Sequence, residues 1–144
     1  MTTRPASPQA ARQVRLNTPL RQARTCHGHL AGVAGVRLFD ELRRRGLFEV
    51  AGTAPRPDIT LTKKGRDALD LLGVHASAAP GSRRRFAYAC TDWTERRYHL
   101  GGALGEAVMR RLVEMGLAHR VEGTRVVELH DSFSTYLTVT PPRP

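Results

Sequence analysis

The stretch His99-Leu100-Gly101-Gly102-Ala103-Leu104-Gly105-Glu106-Ala107-Val108-Met109-Arg110-Arg111-Leu112-Val113-Glu114-Met115-Gly116-Leu117 decides how this chain is read. Leu100, Leu104, Val108 and Leu112 recur every four residues, the stripe of a helix lying on a core. Gly116 fits a helix stop, and residues 118–129 read as a hairpin with Glu122-Gly123 at its tip. Helix, Gly-Leu stop and basic hairpin together resemble the closing half of a winged helix-turn-helix. The pattern occurs earlier as well, with Leu30, Ala34, Leu38 and Leu42 as the stripe and Gly46-Leu47 as the stop. At an offset of 70 the two stretches share seven identities over nineteen positions, among them His29 with His99 and Gly35 with Gly105. After the hairpins the offset becomes 68, pairing Ile59-Thr60-Leu61 with Val127-Glu128-Leu129. Self-similarity at this period points to two copies of one supersecondary unit. The expected fold is α+β, mostly helical, with two tandem winged helix-turn-helix units packed together.

Working outward, residues 1–19 are rich in Pro, Ala, Gln, Thr and Arg without apolar periodicity, and read as a disordered basic arm. Residues 20–73 form the first expected unit: a short helix over 20–28, a long one over 29–45, strands at 47–50 and 59–62, and a helix over 63–72. Residues 74–83, ending in Pro80-Gly81-Ser82, are the linker. Residues 84–140 form the second unit, with a helix over 84–93, the long helix, its hairpin, and a closing helix or strand over 131–139. Trp93, the single tryptophan, is expected to anchor the core between the halves.

The chain has 144 residues and a hydrophobic content of 40%, so each half would be marginal alone and a shared interface is expected. A net charge of +10 suggests nucleic acid. Residues 1–25 carry five arginines and no acids, so half of that excess lies in this N-terminal stretch. No apolar run approaches the ~18–20 residues that span a bilayer, and residues 1–25 lack the apolar segment of a signal peptide. A cytoplasmic protein is expected.

If the long helices read DNA, their exposed N-terminal faces would do so, here Val33 and Arg37 in one copy and Ala103, Glu106 and Arg110 in the other. That set is poor in base-reading side chains. Arg43, Arg44, Lys63, Lys64, Arg96, Arg97 and the hairpin residue Arg125 suit phosphate contacts better. Each basic cluster taken singly is equally a solvated face. Gly32, Gly35, Gly101, Gly102 and Gly105 each cost ~1 kcal/mol against alanine inside a helix. Close approach of another helix is their expected return, between the copies or across a dimer.

Two motifs add a resemblance. Cys26-His27-Gly28-His29-Leu30-Ala31-Gly32, a helix, Gly46-Leu47 and Leu61-Thr62-Lys63-Lys64-Gly65-Arg66 resemble a region of ArsR-type winged-helix transcriptional regulators. Cys90-Thr91-Asp92-Trp93-Thr94-Glu95-Arg96-Arg97 followed by His99-Leu100-Gly101-Gly102 resembles the same group again. In that group the region follows a separate, more basic winged helix. The resemblance covers about residues 20–130 and implies a winged-helix fold in a regulatory setting; from the basic clusters on such a scaffold, double-stranded DNA is the expected partner, with a homodimer as a further expectation. The alternative is a winged-helix module that binds a protein partner or senses a ligand or metal and does not touch DNA.

The metal version rests on Cys26 with His29 and Cys90 with His99, two cysteines and two histidines at equivalent places. No Cys-x-x-Cys accompanies them, and the repetition alone explains the pairing, so no cofactor is the plain expectation and zinc the sharp one. A thiol redox switch would use the same two cysteines. No Ser-His-Asp or Cys-His catalytic set stands out, and Asp92, Glu95, Glu106 and Glu114 read as helix-surface partners of arginines, so an enzyme is not expected.

Overall fold

The computed structural model describes residues 7–76, 84–131 and 133. Of these, 41% are helical and 24% lie in strands, in five helices and three antiparallel sheets. The mostly helical pair of winged helix-turn-helix units is therefore corrected. What replaces it follows from two segments that were expected to be helical.

The first is residues 20–31. A four-residue helix, α2 (Pro19–Gln22), gives way to strands β1 (Arg24–Cys26) and β2 (His29–Ala31). Cys26 and His29 face each other across a two-residue turn made by His27 and Gly28, at φ 49° and 91°. Positive φ at both central positions is the turn whose twist matches a two-residue hairpin, and glycine makes it accessible. The second segment is residues 84–93. Within it lies strand β5 (Tyr88–Thr91), paired with β6 (Tyr98–Gly101), and no helix. In both places residues expected to be helical pair as hairpins, and β2 and β6 lead directly into the long helices that follow, with the short α2 the one preceding helix among the described residues that packs on α3.

The long helices start at glycines, α3 at Gly32–Arg44 and α5 at Gly102–Glu114. Each ends as expected, with Gly46 and Gly116 at φ 76° and 74° just past the last turn. The following hairpins also stand within about a residue of expectation: β3 (Phe48–Ala51) with β4 (Asp58–Leu61), and β7 (Ala118–Arg120) with β8 (Val127–Leu129). Thr62 caps α4 (Lys63–Leu71) by accepting from the Gly65 N–H at 3.0 Å.

Part of the arm is corrected too. Residues 8–16 form α1 (Pro8–Leu16), with Ser7 accepting from the Ala10 N–H, Pro8 in the first turn and Asn17 closing it at φ 48°. Composition read this run as disordered, whereas its cap, first-turn proline and Ala-Ala-Arg-Gln core favour a helix locally. Most of the expected closing element over 131–139 and most of the linker over 74–83 fall outside the described residues.

The element order hairpin, helix, hairpin occurs twice, and the two runs interlock reciprocally. β3 and β4 join β5 and β6 in one four-stranded sheet, through Asp58 opposite Tyr88 and an Ala89 N–H to Pro57 O bond of 2.9 Å. On the other side β8 lies along β1: the Thr25 N–H donates to Arg125 O at 2.9 Å and the Val127 N–H to Ala23 O at 3.0 Å. Helix α3 packs on β6 and α5 on β2. One apolar core results, with Leu30, Leu38 and Phe39 from the first run against Leu104, Met109 and Leu112 from the second. No helix among the described residues is long and apolar enough to cross a membrane.

Gly35 and Gly105 serve this interlock, each against a strand, whereas Gly32 lies against Arg21 O of helix α2, the close helix approach expected. A Cβ on Gly35 would sit 2.4 Å from Leu30 O and 3.3 Å from the His99 Cβ; one on Gly105 would sit 2.4 Å from Leu100 O and 2.9 Å from the His29 Cβ. At an open helical site glycine to alanine gains about 1 kcal/mol. Gly105→Ala is expected to do the reverse and destabilise by about 1–3 kcal/mol, as overpacking does. Urea unfolding reads the sign directly, and a stabilised variant would refute the close approach.

Candidate functional site

The interlock brings two hairpins face to face. Residues directly opposite on an antiparallel pair project from the same face, so Cys26 and His29 lie side by side on β1–β2, and Cys90 and His99 on β5–β6. The four donor atoms all lie within 4.8 Å of one another. The His29 and His99 rings are 5.0 Å apart between centroids. Both histidines are 1% exposed, Cys90 is buried and Cys26 half-buried. Both thiols are free.

The site has one elaborate wall. Asp92, wholly buried, follows β5 and accepts from the Arg24 Nη2 at 2.7 Å, the Gly32 N–H at 2.6 Å and the Thr94 and Glu95 N–H groups at 3.1 Å. Its Oδ2 also lies 2.9 Å from the His99 Nδ1. That bond fixes the His99 ring and leaves its Nε2 facing the cluster. Arg24, also wholly buried, donates to Leu20 O and the Thr94 hydroxyl, and its guanidinium lies 4.7 Å from the Trp93 ring centroid. Trp93 is thus a half-buried lid on an ion pair rather than the core anchor expected between the halves.

Three buried imidazole nitrogens here have no hydrogen-bond partner: both of His29 and the Nε2 of His99. Leaving buried polar atoms unpaired costs about 1–3 kcal/mol each, so their concentration at one point calls for an explanation. Burial, followed by the neighbouring His99, pushes His29 down to about 4, so its ring is neutral and free to donate a lone pair near pH 7. For His99 burial is the largest influence and works against the charged form, but Asp92 and Cys26 together outweigh it and raise the group. Asp92 is likewise raised by burial and then held well below the carboxylate range by His99, Arg24 and the backbone N–H groups. The two thiols split: the hydrogen bond with Cys90 and the adjacent His99 lower Cys26, while that hydrogen bond and burial raise Cys90. Two cysteine sulfurs, which bind metal as thiolates, with two imidazoles are a set of four donors of the kind that borderline-soft metals take.

The other residues singled out from sequence are not gathered in this way. Arg43 and Arg44 end α3, Lys63 and Lys64 begin α4, Arg96 and Arg97 lie between β5 and β6, and Arg125 lies between β7 and β8. Four of the seven have partners: Arg44 with Glu41, Lys63 with Asp67, Arg97 with Asp40, and Arg125 with Thr25 O. Arg37 and Arg110 are exposed, Val33, Ala103 and Glu106 are half-buried, and Glu106 pairs with Arg84. The buried pair Arg24–Asp92 was missed in the sequence, where Asp92 read as a surface acid. Its signal was Asp-Trp-Thr-Glu, an aspartate able to accept from N–H groups two and three residues on.

A small α+β module with a buried sulfur–imidazole cluster between paired hairpins is the class that fold and site define. Among known proteins, the chain is similar to an uncharacterised HTH-type transcriptional regulator, YdfF, of Bacillus subtilis (strain 168), being 34% identical over 110 residues, 76% of this chain and 47% of that protein. The chain therefore spans about half the length of that curated relative. The relative's description carries the regulator class and not the ArsR type. No family model and no solved structure matches.

Proposed function

We propose that this chain works in transcriptional regulation, as part of a DNA-associated regulator of the HTH type. The observation that supports this is the 34% identity over 110 residues to such a regulator. In this reading Arg43, Arg44, Lys63, Lys64, Arg96, Arg97 and Arg125 hold phosphates, and sequence reading by the chain is weak. Arg43 and Lys64 are exposed, so both can be changed without touching the core. The double substitution Arg43→Ala/Lys64→Ala is expected to weaken binding about equally across DNA sequences and to cut the salt slope by about 1 per lost phosphate contact. A mobility-shift titration of a random duplex in rising salt tests this. No shift at low salt would sink direct DNA contact by this chain.

One structural observation favours a second reading. Ala34, Gly35 and Val36 in α3, and Leu104 and Gly105 in α5, are buried in the first turns of the long helices, where base-reading side chains would need to be free. In this reading the chain is the sensing body of a regulator and signals through protein contact. It then shows no shift at any salt concentration, while the cluster between the hairpins keeps its chemistry.

A further inference from the structure

We infer that Cys26, His29, Cys90 and His99 form a closed tetrahedral site for a divalent zinc-class ion, clamping the β1–β2 hairpin to the β5–β6 hairpin. The inference does not depend on whether the chain touches DNA.

The donor set is the first support. Two thiols and two imidazoles at one point are the four ligands of a structural zinc site, with every position taken by protein. Distance is the second. Metal–sulfur bonds of about 2.3 Å and metal–nitrogen bonds of about 2.0–2.1 Å give a tetrahedron with edges of about 3.3–3.8 Å. The donor atoms already lie within 4.8 Å, so closure needs shifts of side-chain size. The third is the unpaired nitrogens. His29 is 1% exposed with neither ring nitrogen bonded, and His99 is 1% exposed with only Nδ1 bonded. A metal between the rings satisfies the Nε2 of His99 and one nitrogen of His29 together.

The fourth support is Asp92. A metal-bound histidine typically gives its other nitrogen to a carboxylate, which fixes tautomer and aim. The 2.9 Å contact between Asp92 Oδ2 and His99 Nδ1 has that form. Asp92 is in turn held by Arg24 and the first N–H of α3, so the aim of His99 is set by both halves of the chain. Asp92 is a positioning residue here and not a ligand. With all four positions filled by protein there is no room for a bound water, so the site is a clamp or sensor rather than a hydrolytic centre.

The test uses the untagged full chain, purified reduced and without chelator. Metal analysis is expected to find one equivalent of zinc per chain. Cobalt(II) added to the stripped chain should give sulfur-to-metal and tetrahedral d–d absorption, which one equivalent of zinc removes. Cys26→Ser and Cys90→Ser should each weaken the sulfur-to-metal band, and both should weaken zinc binding at least about 10-fold, with circular dichroism confirming the fold. Should those variants unfold, the unaltered chain still decides: zinc should slow modification of both thiols by a thiol reagent. Three results would overturn the site: no stoichiometric metal and no cobalt spectrum in the reduced chain; zinc retained undiminished by the Cys26→Ser/Cys90→Ser double variant; or a Cys26–Cys90 disulfide that forms equally fast with and without zinc.

Discussion

Asp92→Ala is expected to lower the unfolding free energy by about 3–5 kcal/mol, the cost of breaking a buried ion pair from one side. The substitution leaves the Arg24 guanidinium wholly buried without its counter-charge. It also strips acceptors from the Gly32, Thr94 and Glu95 N–H groups, each a further buried or half-buried donor. Domains of this size have a total stability of about 5–15 kcal/mol, so the loss is a large fraction of the whole and the urea midpoint should fall markedly. Asp92→Asn keeps the shape and some acceptor capacity but not the charge, and should fall between the two. Urea titrations followed by tryptophan fluorescence suit the measurement, because Trp93 covers the Arg24 guanidinium and reports on this wall. A loss below about 1 kcal/mol for the alanine variant would show that the pair is surface-like and worth little.

Phe39→Ala is the second large effect, at about 3–5 kcal/mol. Phe39 lies on α3, 1% exposed, with ring centroids 5.0 Å from Phe48 and 5.8 Å from Tyr98. Phe48 belongs to the same run of elements, whereas Tyr98 is on β6 of the other run. The ring therefore joins a local core to the interface between the runs, and its loss should be felt by both. Thermal unfolding of the variant should remain a single transition at a lower midpoint. Two separated transitions would show that the halves are independent bodies, against the single core seen here.

The long helices and the hairpins after them are legible in the sequence while the architecture they build is not, and the reasons are specific. The i, i+4 leucines of α3 and α5, the Gly-Leu stops and the hairpins after them all carry strong local signals, and these elements lie close to where periodicity put them. What failed was the start of each helix. His29-Leu30-Ala31 and His99-Leu100-Gly101 continue the helical stripe but are strands, because their pairing partners Arg24-Thr25-Cys26 and Tyr88-Ala89-Cys90 outcompete the local pattern. Tertiary pairing of this kind has no local signature beyond the His27-Gly28 turn. The same error hid the geometry of the cysteines and histidines. Cys26 to His29 and Cys90 to His99 differ in sequence spacing, yet each pair is in direct register across its hairpin. Buried Arg24 was illegible, since an arginine two residues before a cysteine gives no hint of burial.

The reciprocal pairing of the two runs has a consequence for how the chain is made. While only the first half has left the ribosome, β2 lacks α5, α3 lacks β6, and β1 lacks β8, its neighbour through Thr25 and Arg125 a hundred residues further on. Leu30, Leu38 and Phe39 must then wait for Leu104, Met109 and Leu112, for several seconds at about 5–20 residues added per second. Native pairings so distant in sequence slow folding relative to locally connected helices. The first run alone is consequently the stage with the most unpartnered apolar surface, and Cys26 and His29 are made before the Cys90 and His99 that face them.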